Sequence, residues 1–328
     1  MEIKKVDAEV KYIPLKTPFI TALRRVENVE FVRVSIYFDD GSVLFGEAPA
    51  TKAITGEDIE SILDSIDDIK SSLIGLKRED ALRNVHLSSL KSSAKAALDM
   101  ALIPSIKTNQ TKEISIKTDI TISLNPKIKM LQDAEVALNN GMDILKLKFG
   151  TDINHAIDVT KELSKTGAKL LIDANQAWSL KDTLKYIDAL KKIDIVLIEQ
   201  PVCASSLDEL KTITSYSHIP IVADEAVFNL DDAKKVIESK SADIINIKLM
   251  KCGGVSKAIE ILEYAKSKGV KCMLGSMLEG PISINAALHL AFNYTDVIEY
   301  IDLDSPLLYK KPSNELEFRF VGCEIFKI

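Results

Sequence analysis

Residues 170–175 read Leu-Leu-Ile-Asp-Ala-Asn, and residues 196–201 read Val-Leu-Ile-Glu-Gln-Pro. Both are short apolar runs that end in a carboxylate, and the second follows the first after 26 residues. An apolar run without alternation is typical of a parallel strand that is buried on both faces. The pair therefore predicts a sheet in which parallel strands alternate with crossover helices.

The same unit recurs along most of the chain. Eight apolar runs, each a predicted strand, lie at 114–123, 144–149, 170–174, 195–200, 219–225, 244–249, 271–276 and 297–303. The stretches between them carry apolar residues at helical spacing. Eight units of similar length, about 25 residues each, favour a closed barrel over an open doubly wound sheet. No clear helix follows the eighth strand.

The N-terminal hundred residues follow a different pattern. Residues 2–14 and 30–47 alternate apolar and polar side chains, and Asp39-Asp40-Gly41 predicts a turn between antiparallel strands. Residues 56–73 and 87–103 have the apolar spacing of helices. We therefore predict an α+β domain over 1–112, a barrel over 113–303, and a C-terminal segment, 304–328, that returns to the first domain.

The composition excludes several classes of protein. The 328 residues are 46% hydrophobic and 27% charged, which is enough apolar material for a full core and rules out disorder. The net charge is −6 and no basic stripe is present, so nucleic acid is not an expected partner. No apolar run reaches the roughly 20 residues of a membrane span. The N-terminus does not resemble a signal peptide and the four cysteines show no disulfide or metal spacing, so we expect a reduced, cytoplasmic protein.

Charged residues end the predicted barrel strands at one level. Lys148, Asp173, Glu199, Asp224 and Lys248 follow one another at intervals of 25, 26, 25 and 24 residues. In a barrel of this kind that level is the C-terminal rim, where active sites lie. Unpaired charges at the end of an apolar strand are costly, so we expect them to face one another or a ligand.

These residue types suggest a particular chemistry. Asp173, Glu199 and Asp224 are carboxylates on adjacent strands with no histidine or cysteine beside them, which suits a hard divalent cation, Mg²⁺ before Mn²⁺. Lys148 and Lys248 end the second and sixth strands, which lie across the barrel from each other. A substrate carboxylate on the cation would place its α-carbon between the two lysines, and the cation would stabilise the enolate that forms on proton loss. One lysine could remove a proton and the other return it from the opposite face, which is the geometry of an epimerase.

The motifs resemble those of the enolase superfamily, in its muconate-lactonising subgroup. The matching motifs are Lys-x-Lys at 146–148, Asp-Ala-Asn-Gln-Ala-Trp at 173–178, Glu-Gln-Pro at 199–201, Ala-Asp-Glu at 223–225 and Asn-Ile-Lys at 246–248. The resemblance implies a (β/α)7β modified TIM barrel with an N-terminal α+β capping domain. It assigns Asp173, Glu199 and Asp224 to Mg²⁺ and Lys148 and Lys248 to proton transfer. Lys146 is expected to support the site electrostatically.

Further features resemble the dipeptide epimerases of that subgroup. Asp302 and Asp304 match a pair of aspartates that holds the α-ammonium group of the substrate, and Thr121 matches a threonine that contacts the substrate. Ser276, Met277 and Leu278 match a seventh-strand loop along the peptide. Arg24 lies where members acting on Ala-Glu have an arginine for the glutamate side chain, and Arg25 is the alternative. The resemblance thus implies a small dipeptide substrate, L-Ala-D/L-Glu as the best guess, and salvage of peptidoglycan peptides.

Other interpretations use part of the same site. An N-acylamino acid racemase or an o-succinylbenzoate synthase would share the lysine pair, but its substrate carries no ammonium group for Asp302 and Asp304. A carboxylate-binding barrel without catalysis would need no lysine pair. Glu225 and Lys251 are either supporting neighbours of the predicted ligands or solvated loop residues. The sequence leaves the side-chain preference open, as it does the oligomeric state, for which a homo-oligomer is one option.

Overall fold

The structure is a computed structural model that describes residues 1–21, 25–104 and 114–328. Its N-terminal part is a three-stranded antiparallel sheet covered by helices, and we refer to it as the cap. The elements of the cap are β1 (Ile3–Ile20), β2 (Arg25–Phe38), β3 (Val43–Pro49), α1 (Lys52–Thr55), α2 (Ile59–Leu73), α3 (Arg78–Leu87) and α4 (Ser92–Leu102).

The turn between β2 and β3 has the predicted location and chemistry. Gly41 has a φ of +83°, a conformation that suits glycine, and Asp40 Oδ1 accepts the Ser42 N–H at 2.9 Å. The helical prediction was wrong in one detail: α4 begins at Ser92 rather than at Leu87, and α3 precedes it. The Ser88 hydroxyl donates to the Val85 carbonyl, which satisfies the end of α3 and breaks the helical run.

Eight parallel strands form the second sheet, with seven helical connections between them, and the barrel prediction is confirmed. The elements from the first strand of this region onward are β4 (Ser115–Lys117), β5 (Ile120–Ile122), α5 (Lys127–Asn139), β6 (Ile144–Lys148), α6 (Ile153–Leu163), a 3₁₀ turn (Ser164–Thr166), β7 (Lys169–Asp173), α7 (Leu180–Ala189), β8 (Leu197–Glu199), α8 (Leu207–Tyr216), β9 (Ile221–Ala223), α9 (Leu230–Ser239), β10 (Ile244–Lys248), α10 (Leu249–Cys252), α11 (Val255–Ser267), β11 (Lys271–Gly275), α12 (Pro281–Asn293), β12 (Ile298–Asp302), α13 (Ser305–Leu308), β13 (Phe318–Val321) and β14 (Glu324–Lys327). The barrel strands are β5 to β12 in chain order. Among the described residues, every helix is too short or too polar to cross a bilayer.

The barrel closes between its first and last strands through two hydrogen bonds. The Asp119 N–H donates to the Ile301 carbonyl at 3.3 Å, and the Leu303 N–H donates to Thr118 Oγ1 at 3.0 Å. The single strand predicted over 114–123 is wrong, because the chain leaves one sheet for another at Thr118. Residues before it form β4, which pairs with β14 of the tail, and only β5 joins the barrel.

The C-terminal tail contacts both the barrel and the cap. Phe318 stacks on Phe292 of α12 with ring centroids 5.5 Å apart. Glu315 accepts two hydrogen bonds from Arg33 of β2, at 2.6 and 2.8 Å. The division of the chain at 112 and 303 stays a prediction.

Buried carboxylates of the cap hold the N-termini of two barrel helices. Glu47 Oε2 of β3 accepts the Ile282 N–H of α12 at 2.9 Å. Asp99 Oδ1 of α4 accepts the Val255 N–H of α11 at 2.6 Å, and Asp99 Oδ2 lies 2.9 Å from His86 Nε2. Gly254 makes this approach possible, because a Cβ there would lie 2.4 Å from Asp99. Carboxylates at helix N-termini satisfy free N–H groups and complement the helix dipole, so these contacts fix the cap over the barrel.

We expect Asp99→Ala to lower the free energy of unfolding by about 2 kcal/mol or more, because it leaves buried N–H groups without acceptors. Chemical denaturation measures the change. Asp67→Ala is the matched control, since Asp67 is exposed and pairs with Lys70 on the surface; a loss below about 0.5 kcal/mol is expected there. Equal small losses in both variants would contradict the docking role of Asp99.

Candidate active site

Strand alternation places the rim charges inside the barrel. Leu171, Leu197 and Val222 form an apolar layer in the barrel interior, and each lies two residues before one of the charged strand ends. Because side chains repeat every second residue along a strand, Asp173, Glu199 and Asp224 point to the same interior. The polar site therefore lies directly on top of a closed apolar core, where water is largely excluded.

Lys146 lies at the centre of the carboxylate groups and is fully buried. Its Nζ is 2.5 Å from Glu199 Oε2, 2.6 Å from Asp302 Oδ2 and 3.3 Å from Asp173 Oδ2. Burial opposes the charge of Lys146, but the surrounding carboxylates outweigh it and raise the pKa of Lys146 well above its usual range. Lys146 thus remains a permanent cation that balances the buried acids.

Lys148 and Lys248 each form a hydrogen bond with one of the predicted metal ligands. Lys148 Nζ donates to Asp173 Oδ2, and Lys248 Nζ donates to Asp224 Oδ2 at 2.7 Å. Both lysines line one cavity at the C-terminal end of the barrel. Burial lowers the pKa of Lys248, but the charge of Asp224 and then of Glu199 overrides this effect and raises it.

The three predicted metal ligands are buried and lie on neighbouring strands. Burial, followed by the charge of Asp173, raises the pKa of Glu199 to about 7. Burial also opposes ionisation of Asp173, but Lys148 and Lys146 outweigh it and lower its pKa. In this structure lysines compensate the charges of the three acids.

Asp302 and Asp304 lie at the end of the last barrel strand, β12, and line the same cavity. Besides its ion pair with Lys146, Asp302 lies near both other strand-end lysines, and these cations outweigh burial and hold its pKa at about 2. Asp304 Oδ2 accepts the Thr121 N–H at 2.7 Å, while burial and the charge of Asp302 raise the pKa of Asp304 to about 6. Thr121, Asp302 and Asp304 all line the cavity, and their contact with a substrate stays a prediction.

The remaining wall comes from the seventh-strand loop and the cap. Ser276, Met277 and Leu278 line the cavity. Phe19 and Ile54 of the cap also line the cavity and give it apolar surface. Arg24 lies outside the described residues. Arg25 is more than half exposed and pairs with Glu27 at 3.4 Å.

Several buried polar residues near the site were not predicted. Asn246 Nδ2 donates to Glu199 Oε1 at 2.7 Å, and Gln200 Oε1 accepts the Asp224 N–H at 2.9 Å. Asn175 lines the cavity and donates to Glu225 at 3.4 Å. Asp119 lies beside Asp302 and Asp304. Asn246 precedes Lys248 by two residues, and Asp119 precedes Thr121 by two. Since side chains two residues apart on a strand point to the same side, the sequence could have placed both near the site.

Glu225 and Lys251, for which the sequence left two interpretations open, are both buried. They are 6% and 2% exposed, so the solvated-loop interpretation is wrong. Lys251 Nζ lies 2.6 Å from Asp224 Oδ1 and donates to the Asn246 carbonyl at 2.9 Å. Burial, with the charge of Asp224, raises the pKa of Glu225 to about 8. Lys251 therefore supports Asp224, whereas Glu225 is held by its hydrogen bond from Asn175.

Fold and site together define a capped barrel enzyme with charged strand ends at its C-terminal mouth. Residues 129–322 match the family described as Enolase C-terminal domain-like, and the chain belongs to this family. The L-amino acid-D/L-Glu epimerase of Sulfurimonas denitrificans is 56% identical, over 99% of both chains.

Solved structures agree with this relationship. A substrate-liganded complex of the L-Ala-D/L-Glu epimerase from Bacillus subtilis superposes with a TM-score of 0.92 at 37% identity, covering 100% of this chain and 97% of the other. The dipeptide epimerase from Enterococcus faecalis, complexed with Mg and L-Leu-L-Tyr, gives a TM-score of 0.89 at 32% identity, covering 100% and 97%.

Proposed function

We propose that the protein is an Mg²⁺-dependent isomerase that epimerises the C-terminal residue of a dipeptide, with L-Ala-D/L-Glu as the preferred substrate. The observation that carries this proposal is the pair formed by Lys148 and Lys248. They come from β6 and β10, line one cavity, and flank the buried carboxylates. The epimerase relatives, at 56% identity and below, support the same conclusion.

The two lysines perform the proton transfers. One Nζ, as the free amine, removes the α-proton from one face of the bound residue and becomes an ammonium group, while the other Nζ, starting as an ammonium group, delivers a proton to the opposite face and is left as the amine. Asp173 and Asp224 orient these side chains through their hydrogen bonds with Lys148 and Lys248. A one-base enzyme would need to turn the substrate over between the two transfers, whereas paired bases need no such motion.

The donor set at the strand ends fits a divalent cation. Asp173, Glu199 and Asp224 offer only oxygen, are buried, and lie on consecutive positions around the barrel, which suits Mg²⁺. Asn246 fixes Glu199 and Lys251 fixes Asp224, so the acids are held in place by neighbouring side chains. Bound Mg²⁺ would withdraw electron density from the substrate carboxylate and lower the cost of removing its α-proton.

Recognition of a free N-terminus is assigned to Asp302 and Asp304. They line the same cavity as the lysines, and a substrate ammonium group there would offset the buried negative charge. This pair disfavours N-acylamino acid racemase and o-succinylbenzoate synthase activities, because those substrates carry no ammonium group. Thr121, Ser276, Met277 and Leu278 complete the walls around the peptide.

The cellular location and the biological role of the enzyme are part of the same proposal. All four cysteines are free thiols, which supports a reducing, cytoplasmic location. The preference for Ala-Glu implies a role in the salvage of peptidoglycan peptides. The described site residues all come from one chain, so the site does not need a second subunit. A homo-oligomer would leave it complete.

The activity is tested by chiral chromatography after incubation with L-Ala-L-Glu and Mg²⁺. We expect L-Ala-D-Glu to accumulate, and a chelator to stop the reaction. N-acetyl-L-glutamate is the matched compound without an ammonium group, and it is expected to react far more slowly. Turnover of the acetylated compound alone would support an N-acylamino acid racemase instead, and binding of both without turnover would support a non-catalytic barrel.

Arg24→Ala is expected to raise the KM for L-Ala-L-Glu by about tenfold or more, because a guanidinium group pairs well with the glutamate side chain. Steady-state kinetics measure the change. Arg25→Ala is the matched control, since Arg25 is exposed and pairs with Glu27. The KM of this variant should stay within about twofold of the wild-type value. The reverse pattern would move the role to Arg25.

A further inference from the structure

Asp119 is a buried acid that the proposed mechanism does not use. It lies directly before β5, two residues from Thr121, and is 1% exposed. Its N–H donates to the Ile301 carbonyl, but neither carboxylate oxygen accepts a hydrogen bond from the residues that the structure describes. A buried carboxylate without a donor is costly, so its surroundings must compensate it.

The surroundings of Asp119 are mainly acidic. One oxygen each from Asp119, Asp302 and Asp304 lies within 4.8 Å of the other two. The donors nearby are already engaged: Lys146 pairs with Asp302, and the Thr121 N–H donates to Asp304. If all three acids were ionised, their nearest cation would be Lys146, which also pairs with Glu199 and Asp173. Asp302 and Asp304 have hydrogen-bond donors that stabilise their ionised forms, and Asp119 has none. Protonation therefore costs the least free energy at Asp119.

We propose that Asp119 is a positioning residue that carries a proton and donates an O–H···O hydrogen bond to Asp302, holding this carboxylate toward the ammonium group of the substrate. The inference rests on the proposed function, because it assigns the ammonium group to Asp302 and Asp304. Burial first, and then the charge of Asp302, raise the pKa of Asp119 well above its usual range, although Lys146 acts in the opposite direction.

The proton also sets the charge of the binding site. With Asp119 neutral, the negative charge of the cluster comes from Asp302 and Asp304 alone, and Lys146 offsets part of it while also pairing with Glu199. A singly charged ammonium group suits what remains. With Asp119 ionised, the cluster would carry one more negative charge, which would favour a divalent cation over an ammonium group.

Kinetics of two variants test this role. Asp119→Ala removes the donor to Asp302, so we expect the KM for L-Ala-L-Glu to rise about tenfold or more, with kcat within about threefold. Asp119→Asn keeps a neutral donor of the same size and should keep both constants within about threefold of the wild type. A KM raised equally by both substitutions, or by neither, would overturn the proposal.

Infrared spectroscopy provides a test that does not depend on activity or on the folding of Asp119→Ala. The wild-type spectrum minus that of Asp119→Asn at neutral pH should contain the C=O band of a protonated carboxyl group. A carboxylate band in its place would overturn the proposal. Failure of the proposed function would instead be seen as a wild-type enzyme that does not epimerise dipeptides, whatever the infrared result.

Discussion

Lys148→Met and Lys248→Met are each expected to lower the rate of L-Ala-L-Glu epimerisation by at least about a thousandfold, since each removes one of the two groups that move the proton. Methionine keeps a linear side chain of similar length but cannot carry a proton. Chiral chromatography of the product measures the loss. Lys211→Met on α8 is the matched control, because Lys211 is exposed on a helix and is not one of the strand-end charges; wild-type rates are expected there.

The two variants should also differ from each other in one respect. Each retains the base on one face, so each should still exchange the α-proton of one epimer with solvent, and the two variants should favour opposite epimers. Normal epimerisation by both single variants would contradict the two-base mechanism. Loss of exchange for both epimers in one variant, with the fold intact, would assign that lysine another role.

Glu199→Gln is expected to weaken Mg²⁺ binding by about a hundredfold, because an amide is a much poorer ligand than a carboxylate for a hard cation. Titration calorimetry measures the affinity without reference to turnover. Asp302→Asn is the comparison variant, since Asp302 belongs to the acidic cluster with Asp119 and Asp304, the competing cation site of this structure.

The two substitutions should have separate effects. Asp302→Asn should leave Mg²⁺ affinity within about threefold of the wild type and raise the KM for the dipeptide by tenfold or more, since it removes a charged partner of the ammonium group. The reverse result, with Mg²⁺ binding lost in Asp302→Asn and kept in Glu199→Gln, would place the cation at the cluster of Asp119, Asp302 and Asp304.

The strand-end charges could be predicted because their spacing follows the period of the fold. Asp173, Glu199 and Asp224 recur once per strand–helix unit, and the period-2 alternation of a strand then fixes the direction of each side chain. The structure places all three in the barrel interior above Leu171, Leu197 and Val222. Regular backbone geometry was therefore enough to locate these charges.

Contacts that depend on packing between distant segments could not be predicted. Asp99 meets the start of α11 across 156 residues, and no local pattern marks this partner. The division between β4 and β5 likewise depends on pairing with the tail, which competes with the barrel for the same segment. Strand alternation could have predicted that Asn246 and Asp119 point into the barrel. It could not have predicted which groups they contact, because these groups belong to other strands.

The most direct measurement is proton NMR of L-Ala-L-Glu incubated with the enzyme and Mg²⁺ in D₂O. We expect the α-proton signal of the glutamyl residue to disappear while L-Ala-D-Glu forms, and the alanyl α-proton to be unaffected. An α-proton of glutamate that persists under conditions in which the enzyme binds the dipeptide would contradict proton transfer between the α-carbon and the lysine pair, Lys148 and Lys248.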